Sequence, residues 1–333
     1  MIVAFIIPTG IGCEIGGHAG DATPAARLIA GICDELIVHP NVVNASDINE
    51  MTPNMLYVEG SMLDRLLEGD IGLKRVRSNR ILVAVNPPIR PETVNAVSAV
   101  RATLGVQAEI VELGSKLRMV STVRDNVASG EVTGWEKLVE QVRGHDFDAL
   151  AIASEVEVTA DVTMHYFRHG GVNPWGGVES VASRLISEAL NKPVAHAPVQ
   201  FLRYEDNPEL YLLNEVVDPR ISAEAVSMAY LHCVLKGLAR APRIGGDILG
   251  VDALVSPIGC FGRPHRACLE RGVPVIVVKE NRTVFDEEPH ESFIVAENYL
   301  EAAGMLVAMR DGISLESLRR PLPATVVRKI EGA

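Results

Sequence analysis

Nine apolar runs of four to six residues punctuate the chain: IVAFII (2–7), ELIV (35–38), RILVAV (80–85), AEIVEL (108–113), DALAIA (148–153), PVAHA (193–197), ALVSP (253–257), VPVIVV (273–278) and FIVA (293–296). Most lack apolar–polar alternation, the mark of strands covered on both faces. Segments of helical character lie between many of them. Thr23 is placed to cap a helix with Pro24 at its first position. PETVNAVSAVRATLG stops at Gly105, and WGGVESVASRLISEALN puts Val178, Val181, Leu185 and Ala189 on one face. SAEAVSMAYLHCVLKGLARA is apolar enough to be mostly buried, and NYLEAAGMLVAMRDG stops at Gly312. This alternation implies an α/β fold: doubly wound, mostly parallel sheets with helices on both faces, arranged as two Rossmann-like lobes. The polar stretch 114–147 breaks the rhythm and reads as a loop, a lid or a small insertion. A soft boundary there gives lobes 1–125 and 126–333, the first carrying a glycine-rich loop.

A chain of 333 residues, 47% of them hydrophobic, can build a sizeable core. The net charge of -12 argues against nucleic acid as a partner. No run is long enough to span a membrane. MIVAFIIP lacks a basic flank and a cleavage site, so it reads as a first strand rather than a signal peptide. Cysteines 13, 33, 233, 260 and 268 form an odd, scattered set, which points to reduced thiols and a cytoplasmic location. Large apolar helices suggest a homo-oligomer.

The first run leads into IIPTGIGCEIGGHAGDATPAARL. Strand, glycine-rich turn and helix make the arrangement that cradles phosphate. The spacing Gly10-x-Gly12-x-x-x-Gly16 is one residue too long for the dinucleotide fingerprint, and the second strand ends in His39 rather than an acid. No Gly-Lys-Ser/Thr follows, which excludes a P-loop. The connection exceeds a dozen residues and carries ionisable groups, so it suits a ligand-binding element better than a plain turn.

Parallel sheets bind ligands beyond the carboxyl ends of their strands. Reading those positions collects Asn41, Asn44 and Asp47 after the second run, Asn86 after the third, Ser154 and Glu155 after the fifth, and His196 in the sixth. Cys260, Asn281 and Asn298 follow the last three, and the loop HGGVNPWGGVES adds Asn173, Trp175 and Gly176. Singly, each is a common turn former or cap. Together they describe a pocket for a small polar ligand, with Gly10, Gly12, Gly16 and Gly17 holding an anion through backbone amides. His18 and Asp21 would supply acid–base chemistry, with His196 and Cys260 as further catalytic candidates. His165 and His169 sit four residues apart, a spacing that a solvated helix face also explains.

The segment SPIGCFGRPH (256–265) echoes the glycine loop, since Ile-Gly-Cys is followed by His five residues after the cysteine in both. Cys13–His18 and Cys260–His265 could face each other for cofactor-free racemisation, bind a divalent metal, or resemble each other by chance. No cofactor is implied otherwise. The reading is an isomerase, lyase or hydrolase acting on a small carboxylate or phosphate-bearing metabolite. Alternatives are a non-catalytic metabolite sensor, or a nucleotide-sugar transferase suggested by the helix–Gly–Pro–strand rhythm of PHRACLERGVPVIVV.

IPTGIGCEIGGHAGDATPAARL, HPNVVNASDINE, YVEGS, NPWGGVE, VVDPR, AEAVS and KENRTV together resemble the bacterial proteins grouped as domain of unknown function 3326, which are frequent in cyanobacteria. The resemblance covers nearly the whole chain and implies one family-wide arrangement. It assigns no catalytic residue, so the functional reading rests on chemistry.

Overall fold

The computed structural model describes residues 1–18, 21–43, 48, 50–198, 216–223 and 230–329. In chain order the elements are β1 (Ile2–Phe5), α1 (Thr23–Ala30), β2 (Glu35–Val38), β3 (Met55–Tyr57), α2 (Gly60–Glu68), β4 (Leu73–Lys74), β5 (Ile81–Val85), α3 (Pro91–Leu104), β6 (Ala108–Glu112), β7 (Arg118–Arg124), β8 (Val127–Thr133), α4 (Trp135–Val142), β9 (Ala149–Ser154) and β10 (Val156–Glu157). They continue as α5 (Ala160–His169), α6 (Gly176–Leu190), β11 (Val194–Pro198), α7 (Tyr230–Ala239), β12 (Arg243–Ile244), β13 (Ala253–Ile258), α8 (Arg263–Arg271), β14 (Val275–Arg282), β15 (Ile294–Ala296) and α9 (Tyr299–Arg310).

All nine apolar runs are strands. Together with β3, which is not one of the nine, they form two parallel sheets, β15-β14-β13-β1-β2-β3 and β11-β9-β5-β6. Every residue of β5 and β9 is buried, as strands covered on both faces must be. In β1, Val3 and Phe5 point to one side of the sheet and Ala4 to the other. Ala4 packs with Met62 and Leu66 of α2 and Cys268 of α8. The core on the Val3–Phe5 side is shared. It also contains Val83, Val85 and Ala151 of the smaller sheet, and Leu231, Val234 and Leu238 of α7. On its far face the smaller sheet is covered by Leu138 of α4 and by Val178, Ala182 and Ile186 of α6. The α/β class and its parallel sheets therefore follow from the apolar runs themselves.

The stretch 114–147 is neither a loop nor a lid. It forms the β7–β8 hairpin followed by α4. Asp125 and Asn126 turn the hairpin with φ of 50° and 59°, the left-handed pair that a tight two-residue hairpin needs. A cut at residue 125 would pass through this turn. It would also separate β5 and β6 from their sheet partners β9 and β11. Two smaller expectations shift by a residue or so. Thr23 is the first helical residue, with Ala22 at the cap position, and the buried stripe of α6 runs through Val178, Ala182 and Ile186.

Candidate functional site

The carboxyl ends of β1, β2, β3 and β13 face α6 and the end of β11 around a cavity of about 380 Å³. This is where a parallel architecture presents its loops, and the volume suits a small molecule.

One hydrogen-bonded chain reaches this cavity from the smaller sheet. Ser154 ends β9, and His196 lies on the neighbouring β11. The Ser154 Oγ–H donates to His196 Nε2 at 2.9 Å, and His196 Nδ1–H donates to Glu179 Oε1 at 2.9 Å. A carboxylate can only accept, so it fixes the proton on Nδ1 and leaves Nε2 to accept from the serine. Ser154 is 1% exposed and the His196 ring 0%, whereas the Glu179 side chain is 19% exposed. The gradient makes Glu179 the member of the chain turned toward the cavity. His196 lines the cavity as expected, but both its nitrogens are engaged, so it positions Glu179.

The opposite wall comes from the β3–α2 junction. Glu59 is buried and caps α2, accepting from the amides of Ser61 (3.0 Å) and Met62 (3.2 Å). Burial pushes its carboxyl up. One turn on, Asp64 faces the cavity, and burial pushes its carboxyl up to about 7 against the opposing pull of Arg263. That guanidinium sits 3.8 Å from Asp64 because Glu68 holds it in two hydrogen bonds. The other imidazoles of the cavity are neutral. Burial lowers His39 and His265 to about 4 each. His39 Nε2 accepts from the Ile7 amide, and His265 Nδ1 accepts from the Gly262 amide. His265 therefore carries its proton on Nε2 and donates to Ser256 Oγ at 2.9 Å. This is the reverse of the Ser154–His196 polarity.

Of the residues singled out in the sequence, Asn41, Asn173, Trp175, Gly176, His196 and Cys260 line the cavity. Asn41 also ties the first loop together by donating to the carbonyls of Pro8 (3.1 Å) and Gly16 (3.3 Å). Asn173 accepts from the Trp175 and Gly176 amides at the start of α6. His18, Asp21, Gly10, Gly12, Gly16, Gly17, Asn86, Asn281 and Asn298 do not line it. His18 is 2% exposed and hydrogen-bonds Tyr166 OH through Nδ1 (2.9 Å), inside an aromatic cluster. Asp21 accepts from the Gly16 amide, and the Gly12 amide donates to Asn126 O, so neither amide is turned to an anion. Gly10 gives its space to the hairpin, and Gly17 to the Cys13 carbonyl. Asn86 clamps Leu117, Asn281 clamps Ile15, and Asn298 caps α9. Asn44 and Asp47 lie outside the described residues.

Cys13 and Cys260 lie near enough for one thiol to feel the other's charge, but neither histidine joins its cysteine, since His18 bonds Tyr166 and His265 bonds Ser256. Burial pushes the Cys13 thiol up to about 12 and the Cys260 thiol up to about 11. Iodoacetamide at pH 7.5 should therefore modify Cys260 in the folded protein at least tenfold more slowly than in urea, since the reactive species is the thiolate. Labelling as fast as free cysteine would restore Cys260 as a nucleophile.

An uncharacterized lipoprotein of Synechococcus sp. (strain ATCC 27144) is 34% identical over 339 residues, covering 94% of this chain and 92% of that protein. Its name corrects the expectation of a cytoplasmic location. The inference from cysteines was weak on physical grounds, because five unpaired thiols show only that no disulfide forms here. The family described as "Protein of unknown function (DUF3326)" matches residues 2–319, and the chain belongs to it.

Proposed function

We propose that this protein is an enzyme that moves protons on a small polar metabolite held in the cavity between its two sheets. The observation that carries the reading is the chain Ser154–His196–Glu179, sealed at one end and open to the cavity at the other. An imidazole holding one carboxylate oxygen orients Glu179 and leaves its other oxygen to act as a base. Asp64 supplies the acid from a second wall, since burial pushes its carboxyl up to about 7 and keeps its protonated form populated near neutral pH. Two carboxyl groups in unlike environments are how one site provides acid and base together. The raised thiols of Cys13 and Cys260 favour this over thiol chemistry. The lipoprotein name of the Synechococcus relative supports attachment of this chain to a membrane through a lipid.

The test uses a library of small carboxylates, amines and phosphate esters, ranked by the rise in melting temperature each produces. Compounds that stabilise the protein are incubated with it in D2O and followed by proton NMR. Loss of a carbon-bound proton signal, or conversion to a product, is expected for at least one of them. Glu179→Gln should slow that change roughly 10²–10⁴-fold. Stabilising compounds that undergo no exchange or conversion would leave a binding protein rather than an enzyme, and a rate unchanged in Glu179→Gln would remove Glu179 as the base.

A further inference from the structure

We propose that the ligand of this cavity is a zwitterion with a free ammonium and a free carboxylate, in its simplest form an amino acid, and that α6 reads both ends. The inference rests on the functional reading of the same cavity and names its substrate class.

The charges around the cavity are unequal. Glu59, Asp64 and Glu179 line it, against the single guanidinium of Arg184. The carboxyl groups differ in what they have left to offer. Glu59 is saturated by its cap bonds. Glu179 gives one oxygen to His196, and Asp64 has no hydrogen-bonded cation among the described residues, only Arg263 at 3.8 Å and the weaker field of Arg184. Two carboxyl groups are thus left facing the interior without a hydrogen-bonded cation. Glu179, and Asp64 in its ionised form, attract an ammonium and repel an anion, so a ligand without a positive group would leave them uncompensated.

Arg184 supplies the other pole. It is exposed at the cavity and forms no hydrogen bond or ion pair with another described residue. Arg263, by contrast, is held by Glu68 in two bonds, with Asp64 and Glu188 within 4 Å. An unpaired guanidinium is a ready partner for a carboxylate, which it can hold bidentately. A phosphate dianion fits less well, because the Gly12 and Gly16 amides that might have shared its charge donate to Asn126 and Asp21. Glu179 and Arg184 are five residues apart on α6, about 7.5 Å along the axis. That separation matches a small molecule with its ammonium at one end and its carboxylate at the other.

The experiment compares the common amino acids with their N-acetyl and C-amide derivatives, by saturation-transfer NMR at millimolar concentration. At least one free amino acid is expected to bind the wild-type protein. Acetylation or amidation should each weaken it by about tenfold or more. Arg184→Gln should remove the penalty for the amide while keeping that for the acetyl group. Asp64→Asn should do the opposite. Binding by no free amino acid, or equal binding of capped and free forms, overturns the proposal. The two readings fail separately: an amino acid that binds without exchange sinks the enzyme but not the zwitterion, and turnover of a compound lacking either charge does the reverse.

Discussion

Gly177→Ala is expected to abolish the stable fold, and Gly10→Ala to come close to doing so. A Cβ at Gly177 would lie 2.1 Å from the Ala128 carbonyl oxygen and 2.8 Å from the Ser129 nitrogen. A Cβ at Gly10 would lie 2.4 Å from the same oxygen and 2.9 Å from the Gly177 Cα, on a residue whose φ of +73° already disfavours a side chain. All of these are backbone atoms of a hairpin and a helix packed on one another, so no rotamer can relieve the clash. Overpacking against side chains already costs about 1–3 kcal/mol, and here the backbone itself must move. A loss beyond ~3 kcal/mol would take much of the ~5–15 kcal/mol that holds a typical domain. Gly144 is the control, with ordinary φ and nothing within 4 Å of its would-be Cβ. Urea midpoints of the three variants decide the matter. A Gly177→Ala midpoint matching that of Gly144→Ala would mean that the hairpin is not seated against α6.

That expectation shows what the glycine loop is for and why its sequence misled. Glycines near a strand end serve anion binding and backbone contact alike, and spacing alone does not separate the two. The strands were readable because burial on both faces writes itself as an unbroken apolar run, as in β5 and β9. The position of the cavity was readable too, since a parallel sheet leaves its clefts beyond its carboxyl ends. The individual residues were harder. Asn86 and Asn281 look like ligand-binding amides in sequence, yet each gives both its donor and its acceptor to a neighbouring loop backbone. Buried backbone groups must be paired, and short amides at strand ends are well placed to do it. Asp64 and Glu179 carried no such signal. Each is one of two acids on an amphipathic helix, and in sequence it looks the same as its more exposed partner, Glu68 or Glu188. Only the packing of α2 against α6 brings them to one cavity.

Asp64→Asn should stabilise the protein at alkaline pH while weakening the site. The ordinary aspartate value is 3.8, and in the folded chain Asp64 is pushed up to about 7, chiefly by burial. The folded state therefore binds this proton more tightly than the unfolded one. Its contribution is fully present below pH 3.8 and is lost as pH rises through about 7, where the wild-type protein must hold a desolvated carboxylate. Asparagine removes that charge. The variant should match wild type near pH 4 and exceed it at pH 8 by roughly 2–4 kcal/mol, an upper range because the attraction to Arg263 is lost as well. Urea unfolding at the two pH values reads the difference directly. A stability gap independent of pH would mean that Asp64 titrates like any surface carboxylate and cannot serve as the acid. A gap that opens between pH 4 and 8, together with weaker binding of the free amine, would mark a residue kept against the interest of the fold. Such a conflict is expected where a side chain is retained for chemistry, because packing alone would have favoured a neutral group at this position.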